Sequence, residues 1–383
     1  MSTLSTRPKL RAVAAVLAVT VIGTLLGIGL VGSWSELSRQ RGFVTAERAG
    51  VAYLRPLTAL IGALTAAESA AVRGQPIDTG GLRTAVAGVA GADAAHGAAL
   101  GATVRWSEVQ QRIATLIDEP GTGQSAHRDF GDVVSLAIEL TVQVGDASNL
   151  ILDPELDAYY LMDVGLMRLP TVMFNAARVA DLVALPLGAD TASERAAAVA
   201  VARYEVAVAA AQISTGLKKS VLNTERSALG TDITGEQDAF QNAVDALTPP
   251  ALVRQLSGPV TGAGLEDAAA RVNHTAVTLV AAIWDQLDGL LADRQAGLVS
   301  QQRLVIAGAA GVLAGAVVLL WLLAPDRRSR ATDEGTEGSD EVEAAPEQPQ
   351  ISMIDARDLL GAEELVHVGR GVQARRRERD GAE

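Results

Sequence analysis

Two long apolar segments without a charge, residues 12–31 and 304–324, frame most of the chain. As helices of 20 and 21 residues, each is long enough to cross a hydrocarbon core of about 30 Å. Arg7, Lys9 and Arg11 precede the first, and Arg327, Arg328 and Arg330 follow the second. Positive flanks stay in the cytoplasm, so this pattern predicts two passes, with both termini inside and residues 32–303 outside. Trp34 and Trp321 stand near the span ends, where amphipathic rings favour the interface. A cleaved signal peptide is the rival for the first segment. Its apolar stretch exceeds the usual h-region, however, and no A-x-A site follows, so an uncleaved anchor is expected. Arg outnumbers Lys 29 to 3, which suits a GC-rich bacterial genome and places the anchor in a bacterial inner membrane.

Charge and composition remove several function classes. Basic residues number 32 against 45 acidic, a net charge of −13, and the external segment holds most of the excess. Binding of nucleic acid needs clustered Lys and Arg and is not expected. With no cysteine there is no disulfide framework, thiolate metal site or cysteine nucleophile. His96, His127, His274 and His367 are scattered without metal-ligand spacing, and no nucleophile elbow, Walker loop or kinase signature occurs. The residues therefore imply no enzyme, no cofactor and no metal site.

The external segment reads as helices. Leu37, Val44, Val51 and Thr58 recur every seven residues, and Leu57, Ile61 and Leu64 extend an apolar stripe to a stop at Gly74–Pro76. A second helix is expected over 82–117, and a third from 125 carrying Val133, Leu136, Leu140 and Val144. After a break at 149–154, a fourth runs to 185 with a kink at Pro170. A fifth is expected over 192–229, where Val199, Val206 and Ile213 alternate with Ala202, Ala209 and Gly216. Thr234 and Gln237 suggest a capping box for a short helix ending near 247. From Leu265 no breaker occurs before Pro325. One helix of that length would reach about 90 Å, a third of it in the membrane, with a seam of Val272, Leu279, Ile283, Leu287, Leu290 and Leu298 outside. The expected architecture is all-α: two transmembrane helices framing an extracytoplasmic bundle, of four-helix or stacked six-helix type.

The tail differs in composition. Residues 325–350 are acidic and rich in Gly, Ser, Thr and Pro, and are expected to be disordered. Within 351–383, Ile354, Leu359, Leu360, Leu365 and Val366 restore an apolar character, suited either to docking on a cytoplasmic protein or to loose collapse.

The strongest local signal is S-N-L-I-L-D-P-E-L-D-A-Y-Y-L-M-D at 148–163, with two of the four tyrosines. Asp153 and Asp157 flank a proline at a helix start, a setting that favours caps over an acid/base pair. Tyr159 and Tyr160 point about 100° apart on a helix, so the segment is either a packed corner or a ligand-contacting one. These residues resemble the extracytoplasmic sensor regions of bacterial methyl-accepting chemotaxis proteins and related two-span receptors. Many of those show N-L-x-L-D-P-D-L-D-x-Y-Y-L-M-D, and here Glu155 replaces the second Asp. The segment L-D-G-L-L-A-D-R at 287–294 is similar to the stalk before that family's second membrane helix. The likeness covers roughly residues 10–325 and implies helical bundles that bind small metabolites or anions and dimerise along the stalk. It departs after the second span, where 59 residues leave no room for a HAMP linker and a signalling domain.

The expectation is thus a membrane-anchored, chemoreceptor-like sensor or binding module without its own output domain. The alternatives are a scaffolding protein of the cell envelope and an accessory subunit of a full-length receptor. Candidate ligand contacts are Asp153, Asp157, Tyr159, Tyr160 and Arg168, with Arg178 as an anion partner.

Overall fold

The computed structural model describes residues 7–185, 192–226, 228–249 and 264–323 of the chain. Among these residues the structure is all-helical, without a strand. The helices are α1 (Arg7–Val72), α2 (Thr79–Ala92), α3 (Thr103–Asp118), α4 (Gly123–Ala147), α5 (Leu156–Asp163), α6 (Leu169–Ala184), α7 (Ala192–Asn223), α8 (Leu229–Leu247) and α9 (Leu265–Leu323).

The two longest helices, α1 and α9, run antiparallel and form the spine. Arg41 donates to Gln302 Oε1 (2.5 Å), and Arg48 reaches Asp288 (2.8 Å) and Gln295 (2.8 Å). Arg55 pairs with Asp285, Trp284 Nε1 donates to Thr58 Oγ1 (3.1 Å), and Asn273 donates to the Gly62 carbonyl (2.9 Å). As the numbers rise along α1 they fall along α9, so both helices leave the bundle at the same end. The seven-residue row foreseen on α1 faces inward: Val44, Val51 and Thr58 are buried, and Leu37 packs against the core. On α9, Val272, Leu279, Ile283, Leu287 and Leu298 are buried and Leu290 partly so.

The central element is α5 and α6 joined by a π-helical turn, Val164–Arg168; it contacts α1, α4, α7 and α9. Gly165 in that turn lies against Trp284, and a Cβ there would stand 2.9 Å from the indole ring. Only glycine lets the widened turn meet the fully buried Trp284 so closely. α8 closes against α9 and α7, while α2 and α3 lie along α1 and α4.

The structure corrects several helix boundaries. The second helix expected over 82–117 is two, separated by a π-helical turn, Asp93–Gly97, and by Gly101 at φ 61°. Within that turn the Asp93 carboxylate accepts from both Tyr53 Oη (3.2 Å) and Thr103 Oγ1 (3.3 Å). Pro170 falls in the first turn of α6, directly after the π-helical turn, where the N–H that proline lacks is not required. The helix expected over 192–229 ends at Asn223. The capping box does not form: Thr234 lies inside α8 and bonds the Gly230 carbonyl, and Gln237 reaches Ser214 (3.5 Å).

Among the described residues three helices, rather than the two expected, are long and apolar enough to cross a membrane: α1 over Gly23–Val72, α7, and α9 over Leu265–Leu319. Their most apolar stretches differ in surroundings. That of α9 is only 6% buried by the protein, against 61% in α1 and 33% in α7. Large apolar side chains are also exposed on α1 at Leu17, Val21, Leu25, Ile28 and Val31. Exposed apolar bands on paired helices are what a lipid-facing segment presents.

Candidate functional site

The 148–163 segment folds as an angular corner. Helix α4 is capped at its C-terminus by Ser148, and Asn149 takes the left-handed conformation (φ 63°), a backbone state that Asn tolerates better than most residues. A 3-10 turn, Leu150–Leu152, buries Leu150 and leaves Leu152 exposed. Asp153 then accepts from the Glu155 N–H (2.9 Å), an Asx turn that bends the chain into α5.

The Asp153 carboxylate is buried and meets Arg294 of α9 through both oxygens (3.2 and 3.1 Å). Arg294 also reaches Glu155 (3.0 Å) and Glu47 of α1 (3.7 Å). Burial opposes the Arg294 charge, but Asp153, Glu155 and Glu47 more than offset it and raise its pKa. Glu47 is pushed up to about 7 by burial and by the Asp153 carboxylate, with Arg294 pulling the other way. Three carboxylates from α1 and the corner thus share one guanidinium from α9. This clasp lies next to the Arg48–Gln295 contact, near the end where α1 and α9 leave the bundle.

The other anticipated residues are placed as follows. Asp157 is buried, its carboxylate accepting from the Ala158 N–H (2.8 Å) and its carbonyl from Ser220 Oγ (2.9 Å). Tyr159 and Tyr160 meet edge-on with ring centroids 5.4 Å apart, and the Lys219 ammonium sits 5.0 Å from the Tyr160 ring. Arg168 pairs with Asp163 (3.2 Å) and donates to Gln212 (2.7 Å). Arg178 stacks on Phe174 at 5.2 Å. Asp153, Asp157 and the tyrosines therefore belong to one corner. Arg178 lies 18 residues beyond Tyr160, about 27 Å along the helix, and does not join it. The docking residues Ile354, Leu359, Leu360, Leu365 and Val366 lie outside the described residues.

At the opposite end of the bundle stands a cluster that sequence spacing did not link. Glu68 near the end of α1, His127 in the first turns of α4 and Asp181 near the end of α6 bring their polar atoms within 4.8 Å of one another. His127 Nδ1 is 2.8 Å from Glu68 Oε1. Asp181 accepts from Ser69 Oγ (3.1 Å) and Arg73 (3.0 Å), and Arg73 reaches on to Glu266 of α9 (3.1 Å). Glu68 and Asp181 have fully buried side chains, and Glu68 Oε2 has no hydrogen-bond partner. Burial and the Glu68 carboxylate push Asp181 up to about 7, against the pull of Arg73 and Ser69.

One sequence signal could have found both clusters. Residues 44, 47, 51, 54, 58, 61, 65, 68 and 72 form an unbroken 3-4 seam, and all are buried. Two of its nine positions are glutamates, Glu47 and Glu68, where a seam wants apolar residues. Acids so placed need partners, and those partners are the two clusters. No family model, curated protein or solved structure matches the chain.

Proposed function

We propose that the chain is a membrane-anchored extracytoplasmic sensor or binding module, chemoreceptor-like in its bundle and without enzymatic output of its own. In this reading residues 12–31 and 304–324 span a bacterial inner membrane, both termini are cytoplasmic, and α7 belongs to the external bundle. The observation that carries it is continuity: α1 and α9 each run unbroken from an exposed apolar segment into the bundle. The Asp153 corner grips α9 through Arg294 where the pair departs. A ligand that moved the corner would therefore shift α9 against α1, the displacement a membrane-crossing helix pair can transmit. The stalk would pair two copies, and the 325–383 tail would meet a cytoplasmic protein.

The burial of α7 on one side supports its external place. Val199, Ala202, Val206, Ala209, Ile213 and Leu217 are buried against neighbours that include the central α5–α6 element. The cysteine-free chain makes the test direct. Ser193→Cys and Asn223→Cys flank α7 at exposed positions and should both react with a membrane-impermeant maleimide from outside. Labelling of only one of them would establish a third span and reverse the placement of the C-terminus.

A second reading, a spacer of the cell envelope, is favoured by one observation: Asp153, Arg168 and Arg178 each have a partner within the protein. Thermal unfolding of the full chain in detergent, screened against metabolites and inorganic anions, separates the two. A ligand that raises the midpoint, and does so less after Tyr159→Ala, supports the sensor. A screen with no shift supports the spacer.

A further inference from the structure

The outer end of the bundle gathers an imidazole and two carboxylates from three helices, and one carboxylate oxygen has no partner. We propose that Glu68, His127 and Asp181 form a binding site for a single divalent transition-metal cation of the zinc type, closed by water at a fourth position.

The donor set fits this chemistry. One neutral imidazole nitrogen with two carboxylate oxygens is a three-ligand pattern that zinc accepts while keeping one open position. An imidazole donor disfavours calcium and magnesium, which take oxygen ligands. Donor atoms on one tetrahedral zinc ion stand about 3.3 Å apart, given bonds of roughly 2.0–2.1 Å. His127 Nδ1 and Glu68 Oε1 are already at 2.8 Å, and the whole set lies within 4.8 Å, so small side-chain rotations close it.

The surroundings favour a cation as well. Glu68, Asp181 and Glu266 contribute three carboxylates, against one guanidinium, Arg73, which is engaged by Asp181 and Glu266. Glu68 Oε2 is buried and lacks a hydrogen bond, an arrangement that costs free energy unless something occupies it. Ser69 and Arg73 donate to the two Asp181 oxygens and hold that carboxylate in orientation, the support that metal-binding carboxylates commonly receive. His127 is 16% exposed on its side chain and gives an ion a route from solvent to two otherwise closed carboxylates.

A bound ion would tie the end of α1 to the start of α4 and the end of α6. The site does not depend on the sensor reading and would stand if the chain were a spacer.

The test uses the full chain in detergent, stripped with a chelator and titrated with Zn(II) against a chromophoric competitor. Wild type should bind one equivalent, with affinity lowered at least 100-fold in both Glu68→Gln and His127→Gln. Zn(II) should raise the thermal midpoint of wild type and leave the variants unchanged. Ca(II) and Mg(II) should compete at least 100-fold less well. His127→Gln retains an amide donor toward Glu68, so it keeps the reading testable should Glu68→Gln fail to fold. Equal binding by wild type and His127→Gln would place the ion elsewhere in the chain and overturn the site. No binding by wild type, or Ca(II) binding as tight as Zn(II), would overturn it too.

Discussion

The clasp around Arg294 and the cluster around Glu68 occupy two ends of one seam on α1, three heptads and about 31 Å apart. Both bury an acid at a seam position, yet they satisfy it differently. At the clasp, Glu47, Asp153 and Glu155 share one guanidinium that crosses from α9. At the outer end, Asp181 has Arg73 and Ser69, while Glu68 has only the His127 ring on one oxygen. The clasp is a latch whose cation comes from within the chain, although Glu47 Oε2 and Arg294 Nε make no hydrogen bond. In the outer cluster Glu68 Oε2 is likewise without a hydrogen bond, but among the described residues no guanidinium reaches that carboxylate. Similar residues on one helix face thus meet different partners because different neighbours arrive.

The contrast can be broken first at Arg294. Replacement by Met keeps the bulk of the stem and strands buried carboxylates without their cation. The expected loss is about 3–5 kcal/mol, the cost of breaking a buried pair by removing one partner. Thermal or urea unfolding in detergent measures it. A loss below about 1 kcal/mol would mean the clasp is a surface pair and no latch.

A smaller effect should appear with pH. Glu47 is near 7 in the folded chain against an ordinary 4.5, so the folded state holds more protons than the unfolded one between those values. Stability should therefore fall as pH rises from about 4.5 through 7, by up to about 3 kcal/mol at 1.4 kcal/mol per unit. Glu47→Gln should lose that share of the slope and be the more stable protein at pH 8. An unchanged slope would show that Glu47 ionises freely.

The smallest effect lies between the clusters, where the seam carries Thr58. Thr58→Val preserves shape but leaves the buried Trp284 N–H without its acceptor, at a cost of about 1–2 kcal/mol. A neutral result would mean that the indole finds another acceptor and that the middle of the seam is packed by shape alone.

Periodicity made the spine legible. The seven-residue row on α1 and the long unbroken run of α9 both place their buried faces as read, because a repeat that matches the helix period needs no distant information. Interruptions were legible only where proline or paired glycines mark them. The split between α2 and α3 falls at Gly101 in a left-handed conformation, and the π-helical turn before it is met by Tyr53 of α1 at Asp93, 40 residues away and outside any local window. α7 ends at Asn223, and α8, which starts at Leu229, packs against α9 and α7.

The candidate site divides the same way. The 148–163 motif stood out by composition, and its backbone follows from its own residues: a left-handed Asn149, an Asx turn at Asp153 and a proline before α5. That this corner faces Arg294, 141 residues away, is a tertiary fact. His127 illustrates the limit most plainly. Four scattered histidines carry no ligand spacing, since spacing reports neighbours only within one helix or loop.

The sequence by itself determined the helical class, the apolar segments at the two ends and the inward faces of the long helices. These are local properties of hydrophobic period and length. Tertiary structure alone decided which acid met which base, where the motif corner came to rest, and that Glu68, His127 and Asp181 share one end of the bundle. Pairing across helices depends on their relative register and rotation. Those are set by the packing of the whole bundle, for which no short stretch of chain holds the information.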